Sequence, residues 1–168
     1  MIYTMIFNDF CFHFSAMSNQ YLIKHAPGAP GLRILGLGPH FLPSNGLLQL
    51  QLLLNKYTFW ANKRSITDLK IMLKNSSVII SLWEHKELIG FARATSDGIF
   101  RTVIWDVVVA DNVQGNGYGR KLIKAIINSP MIKKSEKIYL MTTHRSEFYK
   151  QVGFKINRSQ NLMLYEFD

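Results

Sequence analysis

The sequence predicts a mixed α/β fold in which a central, mostly antiparallel sheet of about six or seven strands is flanked by about four helices. Three observations lead to this prediction. Two helix-like segments come early in the chain, three strand-like segments follow one another, and a glycine-rich turn then precedes a third helix. Because the chain has 168 residues, of which 48% are hydrophobic and 18% charged, we expect one domain with its own core.

Residues 1–40 are predicted to be an N-terminal extension, and residues 41–168 are predicted to be the domain. Prolines and glycines recur through "KHAPGAPGLRILGLGPHFLP", in which only "LRILGL" is typical of a short strand. The apolar start lacks the features of a secretory signal, and Asp9 and His13 interrupt it before it reaches the length of a membrane span. Met17 is a candidate second start, which would leave the residues before it outside the functional fold.

Two helices are predicted next, each with its own start signal. Ser44 is the expected N-cap of the apolar segment "NGLLQLQLLLNKYTFW". Ser65 and Asp68 have the spacing of a capping box ahead of "LKIMLKN", with Asp in place of the usual Glu.

After Asn75 the apolar residues alternate with a period of two. The segments "SVIISLWEH", "ELIGFARAT" and "IFRTVIWDVVVAD" therefore predict a meander of three antiparallel strands. The unbroken apolar run from Val107 to Ala110 indicates a strand end that is buried on both faces. Further on, "KIYLMTT", "GFKIN" and "NLMLYEF" predict three more strands, and "HRSEFYKQV" predicts a short helix closed by Gly153.

Three glycines in "VQGNGYGRKLI" directly precede the amphipathic segment "RKLIKAIIN". Glycine is a poor helix former, so its presence here needs another reason. The first turn of a helix carries N–H groups without partners and a partial positive charge, and glycine lets an anion approach them closely. The strand, turn and helix together therefore predict a phosphate site, to which Arg120 and Lys121 add charge. A tight turn without a ligand is the alternative.

Charge and cysteine content narrow the possible partners. The formal net charge of +9 favours an anionic partner. The basic residues are scattered, so a polyanionic cofactor or a solvated basic surface is a better explanation than nucleic acid. Cys11 is the only cysteine, which excludes an intrachain disulfide, and the histidines lack metal-ligand spacing, so we expect no metal.

The glycine turn belongs to a wider pattern. "IWDVVVADNVQGNGYGRKLIKAII" contains Gln114-x-x-Gly117-x-Gly119 between a strand and a helix, and "FYKQVGF" follows it. After a three-strand meander and two helices, these motifs resemble the GNAT superfamily of acetyl-CoA-dependent N-acetyltransferases, from about Ser76 to Phe154. The resemblance implies the GNAT fold and acetyl-CoA as cosubstrate. Within the superfamily, the chain looks most similar to the plastid and cyanobacterial branch that includes chloroplast serotonin N-acetyltransferases.

That branch implies an acceptor and a compartment. Its members acetylate arylalkylamines such as serotonin and are also described as acetylating protein lysines, so a primary amine is the expected acceptor. The chloroplast stroma is the implied location, in some algae with a plastid-encoded protein, and a bacterial cytoplasm fits equally well. We expect a monomer or homodimer without membrane contact. A CoA-binding or nucleic-acid-associated module that has lost catalysis is the alternative function.

The resemblance also implies how acetyl-CoA is held. Backbone groups near the end of the third meander strand would bind the pantetheine arm, and a bulge there would point the N–H of Val108 at the thioester carbonyl. The N–H groups of the glycine turn would bind the pyrophosphate. The implied cofactor-binding residues are Val107, Val108, Val109, Gln114, Gly115, Asn116, Gly117, Tyr118, Gly119 and Arg120.

Two side chains have predicted catalytic roles. Asp106 of "VIWDVVV" is the candidate base that deprotonates the amine, with Glu84 in reserve, and an exposed or loop-fixing aspartate is the alternative. Tyr149 of "FYKQVGF" matches the tyrosine that protonates the leaving thiolate in many family members, although a packing role is also open. Thr142 and Arg145 depart from the Asn and Ala that the family often has at these positions.

Four aromatic residues lie on the predicted meander: Trp83, Phe91, Phe100 and Trp105. They line either an aromatic-amine pocket or the hydrophobic core. Because side chains alternate along a strand, Trp105 and Asp106 are expected on opposite faces unless a bulge intervenes.

Overall fold

The computed structural model of the protein describes residues 2–7, 10–15 and 20–166. The chain begins with an antiparallel hairpin of two strands, β1 (Ile2–Phe7) and β2 (Phe10–Ser15). The candidate second start at Met17 lies outside the described residues.

A five-stranded sheet forms the centre of the molecule, in the order β3-β4-β5-β6-β7. All neighbouring strands are antiparallel except β6 and β7, which are parallel. The mixed, mostly antiparallel sheet and its three-strand meander are confirmed, although the sheet has five strands rather than six or seven. The strands are β3 (Gln20–His25), β4 (Val78–Glu84), β5 (Glu87–Ser96), β6 (Arg101–Val109) and β7 (Lys137–Leu140).

Five α-helices lie among the described residues. They are α1 (Pro30–Leu35), α2 (Gly46–Tyr57), α3 (Ile66–Lys74), α4 (Tyr118–Ile127) and α5 (Ser146–Gln151). The capping box of α3 is confirmed, since the Asp68 N–H donates to Ser65 Oγ (3.1 Å) and Asp68 Oδ2 accepts from the Ser65 N–H (3.3 Å). The cap of α2 is Asn45 in a left-handed conformation, not Ser44.

The strand predicted for "LRILGL" is wrong, because this segment forms most of α1. Pro30 occupies the first turn of the helix, where its missing N–H is not needed, and Gly36 ends it with a φ of 62°. The proline and glycine that argued against a helix therefore mark its start and its end. Leu32 is the fully buried residue of this helix.

The strands predicted for "GFKIN" and "NLMLYEF" are also wrong. Residues 154–166 form no strand, and the side chains of Leu162 and Met163 are exposed, at 77% and 89% of each residue's surface. Alternating polarity describes how side chains would be sorted once a strand is paired. It does not supply the neighbouring strand edge that pairing requires.

Residues before 41 contribute to the central sheet. β3 pairs along its whole length with β4, from Gln20 opposite Glu84 to His25 opposite Ile79, and Ile23 and Leu32 belong to the core. The domain boundary at residue 41 remains a prediction, and this pairing is a reason to look for the boundary before Gln20.

Helices cover the strands that carry the site. α2 and α4 both pack on β5 and β6, and residues 88–92 of β5 are all buried, as expected for a strand with both faces covered. On β6 the burial alternates: Val108 and Ala110 are buried, whereas Val107 and Val109 are only half-buried. The end of β6 is therefore less enclosed than its unbroken apolar run indicated.

Candidate functional site

β6 contains a bulge near the middle of the sheet. Phe91 of β5 pairs with Val108, but Arg93 pairs with Trp105, so one residue of β5 faces two residues of β6, 106–107. An extra residue on one strand bends that strand and increases its twist. The bulge that the family resemblance implied is thus present in this strand.

Asp106 is the first residue of the bulge and has a φ of 52°. A left-handed conformation costs an L-residue about 1 kcal/mol or more, and Asp and Asn adopt it more readily than other residues with a side chain. An aspartate is therefore suited to this position by its backbone alone.

The pairing of β6 with β7 ends just before the bulge. The last pair in register is Ile104 with Leu140, and residues 105–109 continue past the end of β7. The two parallel strands therefore separate at the bulge and leave one side of the β6 backbone open.

The register determines which N–H groups face this open side. Ala110 donates its N–H to the carbonyl of Ile89 (2.9 Å), and inter-strand bonds alternate along an antiparallel pair. The N–H of Val108 therefore points towards β5, and those of Val107 and Val109 point towards the gap beside β7. The assignment of Val108 as the thioester donor stays a prediction, and this register favours one of its two neighbours for that role.

The turn after β6 has the geometry of an anion cradle. Gly115 and Gly117 have φ values of 84° and 77°, and Gly117 caps α4 without any side-chain hydrogen bond. The first helical bond that reaches back to this cap comes from the N–H of Lys121, so the N–H groups of residues 118–120 have no partner within the helix. Together with the partial positive charge of the helix start, these groups fit a phosphate.

The polar side chains of the turn hold its shape. Gln114 Nε2 donates to Asp111 Oδ1 (2.7 Å) and to the carbonyl of Val109 (3.1 Å), which fastens the turn to the end of β6. Asn116 Nδ2 donates to the carbonyl of Val113 (3.1 Å). The side chains of Gln114 and Asn116 therefore stabilise the turn itself, and contact with an anion is left to the backbone N–H groups of the turn.

Tyr118 joins the turn to the edge of the sheet. Its ring is buried, its hydroxyl accepts a hydrogen bond from Gln20 Nε2, and the same nitrogen donates to Glu84 Oε1 (2.8 Å). Sequence reasoning missed Gln20, because it lies in the predicted extension. Since its side chain packs inward, Tyr118 has only its backbone N–H to offer a ligand.

α5 lies close to the start of α4 at Phe148, the residue before Tyr149. A Cβ on Gly119 would lie 3.0 Å from the ring of Phe148, so glycine allows the two helices to approach closely. The Tyr149 ring contacts Phe148 and Phe154 edge-on, at centroid distances of 4.9 and 6.0 Å. Burial raises the pKa of the Tyr149 hydroxyl, which keeps it protonated and able to donate.

The Asp106 carboxylate lies between two arginines. Its Oδ2 accepts a hydrogen bond from Arg93 Nε (2.6 Å) and another from Arg64 Nη1 (3.0 Å). Only 4% of the aspartate side chain is exposed. Sequence reasoning missed both arginines, since Arg93 lies 13 and Arg64 lies 42 residues from Asp106 in the chain and no local motif marks them.

The reserve base, Glu84, lies away from the bulge. Ile80 is the β4 residue in register with Ala92, and Glu84 is at the far end of that strand, bonded to Gln20.

At the start of α5, Thr142 Oγ1 accepts from the N–H of Arg145 (3.2 Å). The residues that depart from the family pattern therefore stabilise the entry to that helix.

The four aromatic residues of the meander do not form one pocket. Trp83 and Phe91 are fully buried in the core, and Phe100 is exposed. Trp105 is half-buried, and its ring centroid lies 5.8 Å from the Arg93 guanidinium carbon. Because the bulge intervenes, Trp105 and Asp106 both contact Arg93.

Within the described part of the chain, no group of three His, Cys, Asp or Glu side chains has the arrangement of a metal site. In the same part, none of the helices has the length and apolar character needed to cross a bilayer.

Comparison with known proteins identifies the class to which this fold and site belong. Residues 75–156 match the acetyltransferase (GNAT) domain, which places this segment of the chain in the GNAT family. It is 43% identical over 97 residues to an uncharacterized N-acetyltransferase, ycf52, of Pyropia yezoensis, an alignment that covers 55% of this chain and 56% of the relative.

A second relative carries a more specific name. The chain is 37% identical over 105 residues to the histone acetyltransferase TAP1 of Glycine max, covering 55% of this chain and 46% of that protein. The chain thus spans about half the length of the curated relatives that it matches.

The fold is also found among solved structures. A GNAT-family protein from Xanthomonas campestris superimposes with a TM-score of 0.67, covering 90% of this chain and 96% of the other. At 20% sequence identity, this likeness concerns the fold alone.

Proposed function

We propose that this protein is an acetyl-CoA-dependent N-acetyltransferase that transfers an acetyl group to a primary amine. The observation that carries the proposal is the continuity of β6. Its open side, next to the bulge, leads through the short 3-10 turn Asp111–Val113 to the cradle of Gln114–Arg120, so an extended thioester and a pyrophosphate have places that follow one another along the chain. The backbone N–H groups at both places fit acetyl-CoA.

The proposed reaction is direct attack within a ternary complex. The amine nitrogen bonds to the thioester carbonyl carbon, the carbon–sulfur bond breaks, and the products are an amide and the CoA thiol. Val107 is the donor that we assign to the developing oxyanion, because its N–H faces the gap next to the bulge. A base takes the proton of the amine, and an acid gives one to the thiolate.

We propose Tyr149 as the acid. Its half-buried position against Phe148 and Phe154 and the raised pKa of its hydroxyl both suit a group that must remain protonated near neutral pH. When the thiolate leaves, the Tyr149 hydroxyl supplies its proton.

Asp106 remains a candidate base, and the two arginines constrain it. A base needs an oxygen that can accept the amine proton, and Asp106 Oδ2 already accepts two hydrogen bonds from guanidinium groups. Glu84 is further from the bulge along its own strand. The geometry therefore favours a structural part for Asp106, and we propose that a water molecule takes the proton of the amine and passes it to bulk solvent.

The acceptor is an arylalkylamine such as serotonin, a protein lysine, or both. One relative is named a histone acetyltransferase, which supports lysine side chains. Of the two meander aromatics that flank the bulge, Phe91 is fully buried and only Trp105 keeps part of its surface exposed, so the support for a dedicated aromatic pocket is weaker. Lysine peptides are accordingly the first acceptors to test.

We further propose a plastid protein, since two relatives from Arabidopsis thaliana are named chloroplastic, and a relative from Prochlorococcus marinus keeps a bacterial cytoplasm as the alternative. As partners, we propose the amine substrate and, at most, a second copy of the chain. The domain itself we place from Gln20 onwards, because β3 pairs with β4.

The experiment that tests this function is thiol release from acetyl-CoA in the presence of a lysine peptide, serotonin or tryptamine. We expect turnover with at least one of these amines. CoA binding without turnover on any of them would reject the enzyme and support the alternative, a CoA-binding module that has lost catalysis. The net charge of +9 also suits a nucleic-acid-associated module. If the protein were retained on a DNA column and did not bind CoA, that alternative would be supported.

A further inference from the structure

The bulge of β6 rests on a residue in a conformation that needs support. Asp106 is left-handed, and such a residue persists when its surroundings over-determine it. If Asp106 relaxed to an extended conformation, the register of β6 would shift by one residue. Val107 would then turn its N–H away from the gap.

Two guanidinium groups supply that support. Both bind the same carboxylate oxygen, Asp106 Oδ2, Arg93 through Nε and Arg64 through Nη1. The aspartate side chain is 4% exposed, that of Arg93 14% and that of Arg64 30%. Because the carboxylate is buried between two cations, its position is set by them rather than by solvent.

Each arginine is held in turn by a different element. The Arg93 guanidinium lies by the ring of Trp105, and its Nη1 is 3.4 Å from Ser76 Oγ, just after α3. Arg64 belongs to the loop between α2 and α3, and its Nη1 contacts Met72 Sδ (3.3 Å). Its carbonyl accepts from Gln51 Nε2 of α2 (2.8 Å).

We propose that Arg93 and Arg64 are positioning residues for acetyl transfer. They hold Asp106 in the left-handed conformation, Asp106 forms the bulge, and the bulge directs the N–H of Val107 at the thioester carbonyl. This inference rests on the proposed function. It assigns Asp106 a role through its backbone, in place of the role of general base.

The first test compares Arg93→Met with Arg101→Met. The control arginine lies on β6 itself and pairs with Glu136 in an exposed ion pair at 2.5 Å, away from the bulge. We expect Arg93→Met to lower kcat about tenfold to a hundredfold, with the Kd for CoA within about threefold of the parent. Arg93→Lys, which keeps the charge, should recover part of the loss. Equal kcat values for Arg93→Met and Arg101→Met would overturn the proposal.

The second test separates positioning from base catalysis at Asp106. Glycine adopts a positive φ without strain, whereas alanine does not. If Asp106 acts through its backbone, Asp106→Gly and Asp106→Asn should retain at least about tenfold more kcat than Asp106→Ala. If it is the base, all three should be equally impaired and should lose the acidic limb of the pH profile, which would contradict our proposal.

A third measurement does not depend on turnover. Amide hydrogen exchange in Arg93→Met should quicken at residues 105–109 relative to residues 101–104, and Arg101→Met should leave this ratio unchanged. Unchanged exchange at the bulge would overturn the proposal even if kcat fell. Should Arg93→Met fail to fold, Arg64→Gln applies the same measurements to the more exposed arginine. If the parent protein turned over no amine, the proposed function would be rejected. The exchange measurement would still show whether Arg93 holds the bulge in place.

Discussion

The cradle and the bulge lie at two points of the same strand and are built differently. The cradle consists of the turn Gln114–Gly117 and the first turn of α4, and its shape follows from positive φ values at two glycines and from hydrogen bonds within the turn. The bulge depends on Arg64 and Arg93, which other elements supply. A structure that is held by neighbouring residues can be recognised in a short stretch of sequence. A structure that is held by residues from other elements cannot.

The two regions also differ in the chemistry that they offer. The cradle presents unpaired backbone N–H groups, which fit an anion whatever is attached to it. At the bulge one backbone N–H faces the gap beside β7, and burial raises the pKa of the Tyr149 hydroxyl; these are the two groups that we propose for the reaction. Damage to the cradle should therefore abolish CoA binding, while damage to the bulge or to Tyr149 should mainly slow the reaction and change CoA binding much less.

The largest effect is expected from Gly117→Glu. The substitution places a side chain on a backbone with a φ of 77° and adds a negative charge at the start of α4. We expect the Kd for CoA, measured by calorimetry, to rise about a hundredfold or more.

Gly98→Glu is the matched control for that variant. Gly98 has a φ of 81° and open space around its Cα, as Gly117 has, but it lies in the turn between β5 and β6, at the other end of the strand. Its Kd should equal that of the parent. Equal weakening in both variants would mean that backbone strain, rather than the cradle, governs binding.

Removing the first forty residues should have the next largest effect. The truncation deletes β3 and α1, whose Ile23 and Leu32 are buried, and it removes Gln20 from Tyr118. We expect unfolding in urea to show a loss of more than about 3 kcal/mol, from the burial of these two side chains alone. A chain that starts at Gln20 should keep most of the stability. Equal stability of the two truncated chains would restore the boundary at residue 41.

Tyr149→Phe should have a smaller effect, and only on the reaction. Without its hydroxyl the thiolate leaves unprotonated, so we expect kcat to fall about tenfold to a hundredfold with an unchanged Kd for CoA. Because burial raises the pKa of Tyr149, the alkaline limb of the parent's kcat should lie above the ordinary tyrosine value of about 10. Tyr139→Phe, on β7, is the control. A parent-like kcat in Tyr149→Phe would leave this tyrosine a packing role.

The smallest effect concerns pH and applies to the whole fold. Burial lowers the pKa of His25 from 6.5 to about 4, and its Nε2 is 2.7 Å from Ser81 Oγ. Below pH 6.5 the unfolded chain takes up a proton that the folded chain does not. Stability should therefore be lost as the pH falls from 6.5 towards 4, by at most about 2 kcal/mol at pH 5. Since His25 keeps part of its surface exposed, we expect the measured loss to be smaller.

Denaturant unfolding at pH 7.5 and pH 5 measures this difference. His25→Gln should reduce the pH dependence, and His144→Gln, at an exposed position, should not. Identical dependence in the parent and in His25→Gln would contradict the assignment. The result also helps to interpret the pH dependence of kcat in the bulge variants, because it separates unfolding at low pH from loss of catalysis.

Sequence reasoning succeeded where the signal was local. The capping box of α3, the meander and the amphipathic helix after the glycine turn are each set by residues close together in the chain, and each was predicted correctly. It failed where the structure of a segment depends on contacts with residues that are distant in the chain. "NLMLYEF" has the alternation of a strand but forms none, and Gln20, in the predicted extension, contacts a residue of the cradle.

The same distinction between local and distant contacts applies to the candidate site. The glycine spacing was enough to predict the cradle, since positive φ values and open space are properties of single residues. It did not predict which valine N–H faces the gap, because that depends on the register between β5 and β6. Nor did it predict the arginines at Asp106, because ion pairs between distant residues leave no periodic pattern.

The separation of β6 from β7 has a consequence for the cell. If the pantetheine arm lies against residues 107–109, the cosubstrate completes a ladder that the polypeptide leaves unfinished. The protein would then be stabilised in proportion to the supply of acetyl-CoA and CoA, by about 2.7 kcal/mol at a hundred times the Kd. The resistance of this protein to proteolysis would then rise and fall with the concentration of acetyl-CoA and CoA around it, independently of its catalytic rate.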